Sequence, residues 1–415
     1  MVEQRKPIPV AEAVKKVIGQ AQLLGTEMVS LDQSYNRILT EPIIAKHPVP
    51  PFDRSPYDGF AIISKYSIGA SGDNRIKFTV IDHIGAGSVS EKLLSGNEAI
   101  RIMTGAPLPK NADAIVMFEQ TVESKDSFTI RKPFTPLENV SQKGEDIKQS
   151  ETVIERGNLI HPGTVALLAT FGYAQVCVSK QPIVGILSTG TELLDVADKL
   201  VPGKIRNSNG PMIAAQLARM GILCKTYGLS ADKLDKSFEI VKKAAEETDC
   251  LITTGGVSVG DFDFLPAIYE RLGAQILFNK VAMRPGSVTT VAVADNKYLF
   301  GLSGNPSACF TGFELFVRPA LLKMMGAEKL YLPHTTAILG EDFTKANPFT
   351  RFIRAVYDGH TIKPAGFNKS NAVASIAKGN ALIVLPDGTR GFKSGDTVDV
   401  LLLGVEEGSA LWKIE

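Results

Sequence analysis

Three short segments place glycine, serine and threonine where a chain could hold phosphate: STGTEL (Ser188 to Leu193), TTGGVSVGDFDF (Thr253 to Phe264) and LSGNPSA (Leu302 to Ala308). Small residues let backbone N–H groups approach an anion, and a helix start adds the positive end of its dipole. The candidate anion-binding residues are therefore Thr189, Gly190, Gly255, Gly256, Ser258, Gly260, Gly304, Asn305, Pro306 and Ser307. Any one loop alone reads equally well as a tight turn. Three such loops, each following an apolar strand-like run, point instead to a binding crevice at the carboxyl edge of a sheet. None has the spacing of a P-loop or a dinucleotide fingerprint. Asp249, Asp261 and Asp263 add carboxylates expected at the same edge. Asp261 reads either as a helix N-cap or as a metal ligand or proton acceptor. In VAMRPGSVTT, Arg284 is a candidate anion ligand or a surface arginine after a strand.

A second segment, PPFDRSPYDGFAI (Pro50 to Ile62), packs three prolines, Asp53, Arg54, Asp58 and Gly59 directly before an apolar run. The run reads as a strand start and the cluster as a stiffened loop, with Asp58-Gly59 as its turn pair.

The elements that must position these residues follow from periodicity. PVAEAVKKVIGQAQLLG has helical spacing and is expected to stop at Gly25; a mostly β region spans 45–141; HPGTVALLATFG supplies a short helix. From Gln181 strands and helices alternate to Gly326, which predicts an open parallel α/β domain, and β-like runs return after Pro333. The fold class is α/β plus β, multidomain. The expected division is 1–44 with 142–180 as a helix/β connecting domain, 45–141 as a small mostly β insertion, 181–326 as the α/β domain and 327–415 as a C-terminal β domain.

Composition limits the function classes. Lys plus Arg (45) nearly equals Asp plus Glu (44), so there is no global attraction to nucleic acid and any anion site is local. The four cysteines are dispersed among apolar neighbours and read as core residues in a reducing compartment; the five histidines form no metal-binding spacing. No segment has the length and hydropathy of a membrane span or signal peptide, so a cytoplasmic protein with no membrane contact is expected.

Taken together, GGVSVGDFD, STGTEL, LSGNP, PPFDRSPYDGFAI, RIMTGAPLPKNADAIV and KGEDI resemble the motifs of the molybdopterin molybdenumtransferase family, which includes bacterial MoeA and the E domain of gephyrin. The resemblance runs from the first helix to the terminal β domain. It implies that 181–326 is a molybdopterin-binding domain, and that adenylylated molybdopterin and molybdate, or tungstate, are converted to molybdenum cofactor and AMP with Mg²⁺. It also implies a homodimer with an active site shared between subunits, and transient contact with molybdopterin adenylyltransferase and recipient enzymes. The preceding adenylylation step and a gephyrin-like peptide-binding scaffold are the alternative activities.

Residue by residue, the resemblance implies acidic roles for Asp58, Asp146, Glu192 and Asp249, with Asp58 and Asp146 approaching from the partner subunit and Glu192, Asp249 and Asp261 as the Mg²⁺ set. Arg354, Ser370 and Ser375 match oxyanion-binding positions. The chain departs from the family pattern at Arg284 and Ser287, where lysines are usual, at Ser303, where proline is usual, and at Ala308, where many members have serine. Ser307 is the expected substitute for that last hydroxyl.

Overall fold

The structure, a computed structural model, describes residues 6–230, 234–256 and 265–404. Its contacts cluster into two compact units, one of 41–156 with 163–174 and one of the remaining described residues.

The smaller unit is built on a six-stranded sheet in the order Ala114–Met117, Gly59–Ile62, Glu98–Ile102, Ile76–Ile84, Ser127–Ile130, Thr121–Ser124. Aromatic side chains fill one face: Phe60 stacks on Phe128 at 3.9 Å and Phe128 on Phe78 at 5.5 Å. The other face buries Ala61, Ile84, Ile100, Ile102 and Ile115, so the apolar run after the proline-rich loop is a central strand buried on both sides. Gly59 opens it because no side chain fits: a Cβ there would lie 2.1 Å from the Val116 carbonyl oxygen.

The larger unit contains a sheet with strands β1 (Val184–Thr189), β2 (Cys224–Ser230), β3 (Cys250–Thr254), β4 (Gln275–Phe278), β6 (Thr290–Ala294) and β7 (Lys297–Leu302), between which lies the short β5 (Met283–Arg284) of a second sheet. The order is β2-β1-β3-β7-β6-β4. The first four are parallel, as expected from the alternating pattern. β6 pairs antiparallel with both β7 and β4, which the parallel expectation did not include. The cause is local: Asp295 and Asn296 both adopt positive φ (49° and 63°), the conformation of a two-residue hairpin turn, and send the chain straight back from β6 into β7. The first helix also ends earlier than expected, at Gln20 rather than Gly25, where Ala21 turns extended.

The C-terminal part places β8 (His334–Leu339), β9 (Thr350–Tyr357), β10 (Thr361–Pro364), β11 (Ala381–Leu385) and β12 (Thr397–Leu402) in the order β9-β10-β8-β12-β11. Since β11 also pairs with β9, the ring closes into a small barrel and leaves no free edge within it. β5 joins its outside by pairing parallel to β9. A segment leaving the α/β sheet is thereby stitched to the barrel, and this stitch sets the geometry of the site below. A half-buried ion pair adds a further constraint: Arg219 Nη2 donates to Glu314 Oε1 at 2.6 Å, with the Glu314 side chain fully buried.

The Gly59 contact gives a direct test. Gly59→Ala should destabilise the smaller unit by about 1–3 kcal/mol through overpacking against a carbonyl that cannot move without breaking the sheet. Urea unfolding followed by circular dichroism measures it, and an unchanged midpoint would contradict the packing.

Candidate functional site

The three glycine-rich loops meet at the carboxyl end of β1, β3 and β7. Gly255 donates its N–H to the Leu302 carbonyl at 3.1 Å, and Thr189 Oγ1 donates to the Thr254 carbonyl at 3.2 Å. Gly255 has φ +84°, and a Cβ on it would lie 2.4 Å from the Thr189 carbonyl oxygen; a Cβ on Gly304 would touch Gly255 Cα at 3.5 Å. Glycine at 255 is thus required both by conformation and by the approach of the first loop. Around this junction is a cleft of about 400 Å³, lined by Thr189, Glu192, Gly256, Asn305 and the segment Arg206 to Asn209. Asn209 fixes the third loop by donating Nδ2–H to the Gly304 carbonyl at 2.8 Å.

A second cleft, of about 610 Å³, adjoins the first and shares Val288, Ser303 and Asn305 with it. Its walls come from the β5 loop on one side and from the barrel on the other. Five cations line it: Arg284, Lys345, Arg351, Arg354 and Lys369. Among the described residues no Asp or Glu does. Arg354 is 1% exposed. Its Nε donates to Ser375 Oγ at 3.0 Å and its Nη2 to Asn368 Oδ1 at 2.7 Å, while Nη1 is buried without a hydrogen-bond partner. Burial pulls the guanidinium down to about 10, still cationic at neutral pH. A buried cation held only by neutral acceptors and with a spare N–H is the local requirement for binding an anion.

The structure sorts the sequence candidates. Thr189, Gly190, Gly255, Gly256, Gly304, Asn305 and Pro306 belong to the converging loops, and Glu192 reaches the first cleft with its side chain folded beside Gly190. Arg284, Arg354 and Ser370 line the second cleft. Ser375 lies behind Arg354 and orients it. Ser258, Gly260, Asp261 and Asp263 lie outside the described residues.

Two expectations change. Asp249 does not share the glycine-loop edge: it precedes β3, at the amino end of the strand whose carboxyl end carries Gly255, about 20 Å of extended chain away. Its Oδ2 accepts from the Ile183 N–H at 2.8 Å, which ties down the start of β1. Nor does Ser307 offer its hydroxyl to the cleft. It is fully buried with Oγ unpartnered, and the following residue, Ala308, is the one that faces the second cleft. The helical turn beginning at Pro306 rotates the two positions apart. Ser303 is the hydroxyl that lines both clefts.

Asp58 and Asp146 lie in the other unit. Asp58 accepts from both the Thr104 N–H (2.7 Å) and the Thr104 hydroxyl (2.9 Å), bonds that hold it below its ordinary value. Asp146 is exposed and donates its backbone N–H to Val49 at 3.0 Å. Sequence reasoning missed Arg351, Lys345, Lys369 and the Arg206 to Asn209 segment. The last carries a legible signal, RNSNG, rich in residues that bind through short polar side chains; the lysines are ordinary surface residues in the sequence.

Asp249→Ala should therefore cost about 1–2 kcal/mol of stability, the worth of a charged acceptor on a strand N–H. It should leave the stabilisation by a bound tetrahedral oxyanion unchanged. Thermal melts with and without tungstate distinguish this from a role in the site, which would remove the oxyanion shift.

Comparison with known proteins matches the chain along nearly its whole length. Residues 8–172 match the family profile described as MoeA N-terminal region (domain I and II), 185–323 the probable molybdopterin binding domain, and 336–403 the MoeA C-terminal region (domain IV). The chain is 59% identical over 97% of its length, and 97% of theirs, to proteins named molybdopterin molybdenumtransferase from Staphylococcus aureus (strain N315) and Staphylococcus epidermidis. A solved molybdopterin biosynthesis moeA protein from Pyrococcus horikoshii OT3 superposes with a TM-score of 0.83 at 30% identity, covering 96% of this chain and 100% of that one. With full-length similarity in sequence and in fold, the chain belongs to the molybdopterin molybdenumtransferase (MoeA) family.

Proposed function

We propose that the chain inserts molybdenum, taken from molybdate, into adenylylated molybdopterin and releases AMP. The observation that carries this reading is the cationic cleft around Arg354, lined by no Asp or Glu among the described residues and continuous with the glycine-loop cleft through Ser303 and Asn305. The glycine loops suit the phosphates of the pterin nucleotide, offering backbone N–H groups. Arg354, Arg284 and Ser370 suit a tetrahedral oxyanion.

The chemistry asks no nucleophile of the protein. The two thiol protons of the dithiolene leave with one molybdate oxygen as water while two Mo–S bonds form, and one water splits the P–O–P linkage into pterin phosphate and AMP. Molybdenum keeps its oxidation state. What the chain contributes is alignment of two anions that repel each other in solution, and compensation of their charge.

Mg²⁺ fits the donor set: it binds through one or two carboxylates together with substrate phosphates, and Glu192 presents an exposed carboxylate in the cleft assigned to those phosphates. When bound, the ion would neutralise phosphate charge. Asp249 is not among its ligands. Asp58 and Asp146 act, in this reading, from a second copy of the chain in a homodimer whose site is shared. The rigid double hydrogen bond to Asp58 supports a carboxylate set to act rather than one left to wander. Tungstate, equal in shape and charge, is an alternative metal source, and the reaction belongs in the cytoplasm, supplied by molybdopterin adenylyltransferase and drained by recipient enzymes through transient contacts. Among the described residues no helix is long and apolar enough to cross a membrane.

Incubation of the protein with adenylylated molybdopterin, Mg²⁺ and either oxyanion should release AMP only when the oxyanion is present. Oxyanion-independent release, or none, would overturn the reading. Asp58→Asn should abolish turnover with fold and dimer intact. Because Asp58 is held below its ordinary value of 3.8, it is charged at every pH from neutral down to that value, and raising the pH should not restore the variant.

A further inference from the structure

Arg284 and Arg351 stand opposite each other in register where β5 pairs parallel with β9. Registered residues on adjacent strands project to the same face, about 4.8 Å apart at the backbone, and like charges so placed destabilise a sheet. Both side chains line the cationic cleft. Among the described residues neither has a salt-bridge partner, and the nearest relief for Arg284 is the ring of Phe349, 5.8 Å from its guanidinium. Burial, and then the neighbouring charge of Arg284, lowers the affinity of Arg351 for its proton. Arg354 lies deeper on the same strand with its own unpartnered Nη1. Arg284, Arg351 and Arg354 thus line one cleft that, among the described residues, is lined by no carboxylate.

We propose that Arg351 is an anion-binding residue that sets charge specificity: with Arg284 it forms a guanidinium pair that selects a doubly charged tetrahedral oxyanion over a singly charged one of the same shape. The inference rests on the proposed function for the identity of the cleft's ligand and adds a determinant that the motif reading did not contain. The physical basis is Coulombic. Each additional cation acts on a dianion with twice the energy it exerts on a monoanion, whereas shape and hydrogen-bond geometry are common to both. Ser287, which lines the same cleft, supplies a neutral hydroxyl and no charge of its own.

The probes are tungstate and perrhenate, tetrahedral oxyanions of similar size carrying two charges and one. Calorimetry on the wild-type protein should show tungstate bound more tightly. In Arg351→Gln, tungstate affinity should fall roughly 10- to 100-fold, the loss of one charge-assisted hydrogen bond, and perrhenate affinity distinctly less. Arg351→Lys should retain most of the preference, and Ser287→Lys placed in Arg351→Gln should recover part of it by returning a cation to the cleft. A purely structural role would weaken both anions alike and would not respond to the added lysine. Equal losses for the two anions, no loss, or no tungstate binding by the wild type would each overturn the proposal. Preference for tungstate with no oxyanion-dependent AMP release would instead count against the proposed reaction and leave the charge selection standing.

Discussion

The cationic cleft is organised around a charge for which no acidic partner stands among the described residues. Arg354 is buried, its guanidinium is held by a serine hydroxyl and an amide oxygen, and one N–H is left over. Taking an ion out of water costs several kcal/mol even after relaxation, and a carboxylate partner would be the usual remedy. Among the described residues that remedy is absent: neutral acceptors fix the plane of the guanidinium, which leaves it able to take an anion from solution. The contrast lies within the same unit: Arg219 is paired with Glu314, whose buried carboxylate also accepts from Gln216. There the buried group is the carboxylate, and it is neutralised by a cation that reaches solvent; at Arg354 the buried group is the cation itself.

The rest of the larger unit can be understood as holding that site beside a second one. β5 is only two residues long, yet its pairing with β9 brings the loop after Arg284 against the barrel. The third glycine loop, running through Ser303 to Asn305, is shared by both clefts. Ser303 Oγ accepts from the Asn305 N–H at 3.3 Å, which leaves its hydroxyl hydrogen free to turn toward either side. Two anions bound in the two clefts would thus meet at a backbone held by the close packing of Gly255 on Thr189 and by Asn209 on Gly304. Orientation comes from main chain and charge from side chains.

What the sequence revealed follows the same division. Glycine loops after apolar strands are legible because their conformation demands particular residues: only glycine fits where φ is +84° and a carbonyl lies within 2.4 Å. Strands of the parallel half of the sheet are legible as continuous apolar runs. Asp249 was misplaced because sequence distance along a strand does not say which end faces the ligand; five residues later the chain has crossed the whole sheet. Ser307 does not replace a hydroxyl at 308 because a one-residue step on a helix rotates a side chain by about 100°, turning it away from the cleft that Ala308 lines. Arg351 carried no signal at all. Its place depends on a pairing between residues 67 positions apart, and the two-residue β5 is too short to announce itself as a strand.

The placement of acidic groups completes the argument. Two like charges 4 Å apart repel by about 4 kcal/mol at an effective dielectric of 20, so a carboxylate in the oxyanion cleft would offset much of what one arginine supplies. Glu192 is confined to the cleft of the glycine loops, Asp249 is turned into a structural tie at the far edge of the sheet, and Asp58 is anchored in the other unit by Thr104. Among the described residues, none of these three carboxylates lines the cleft of Arg354.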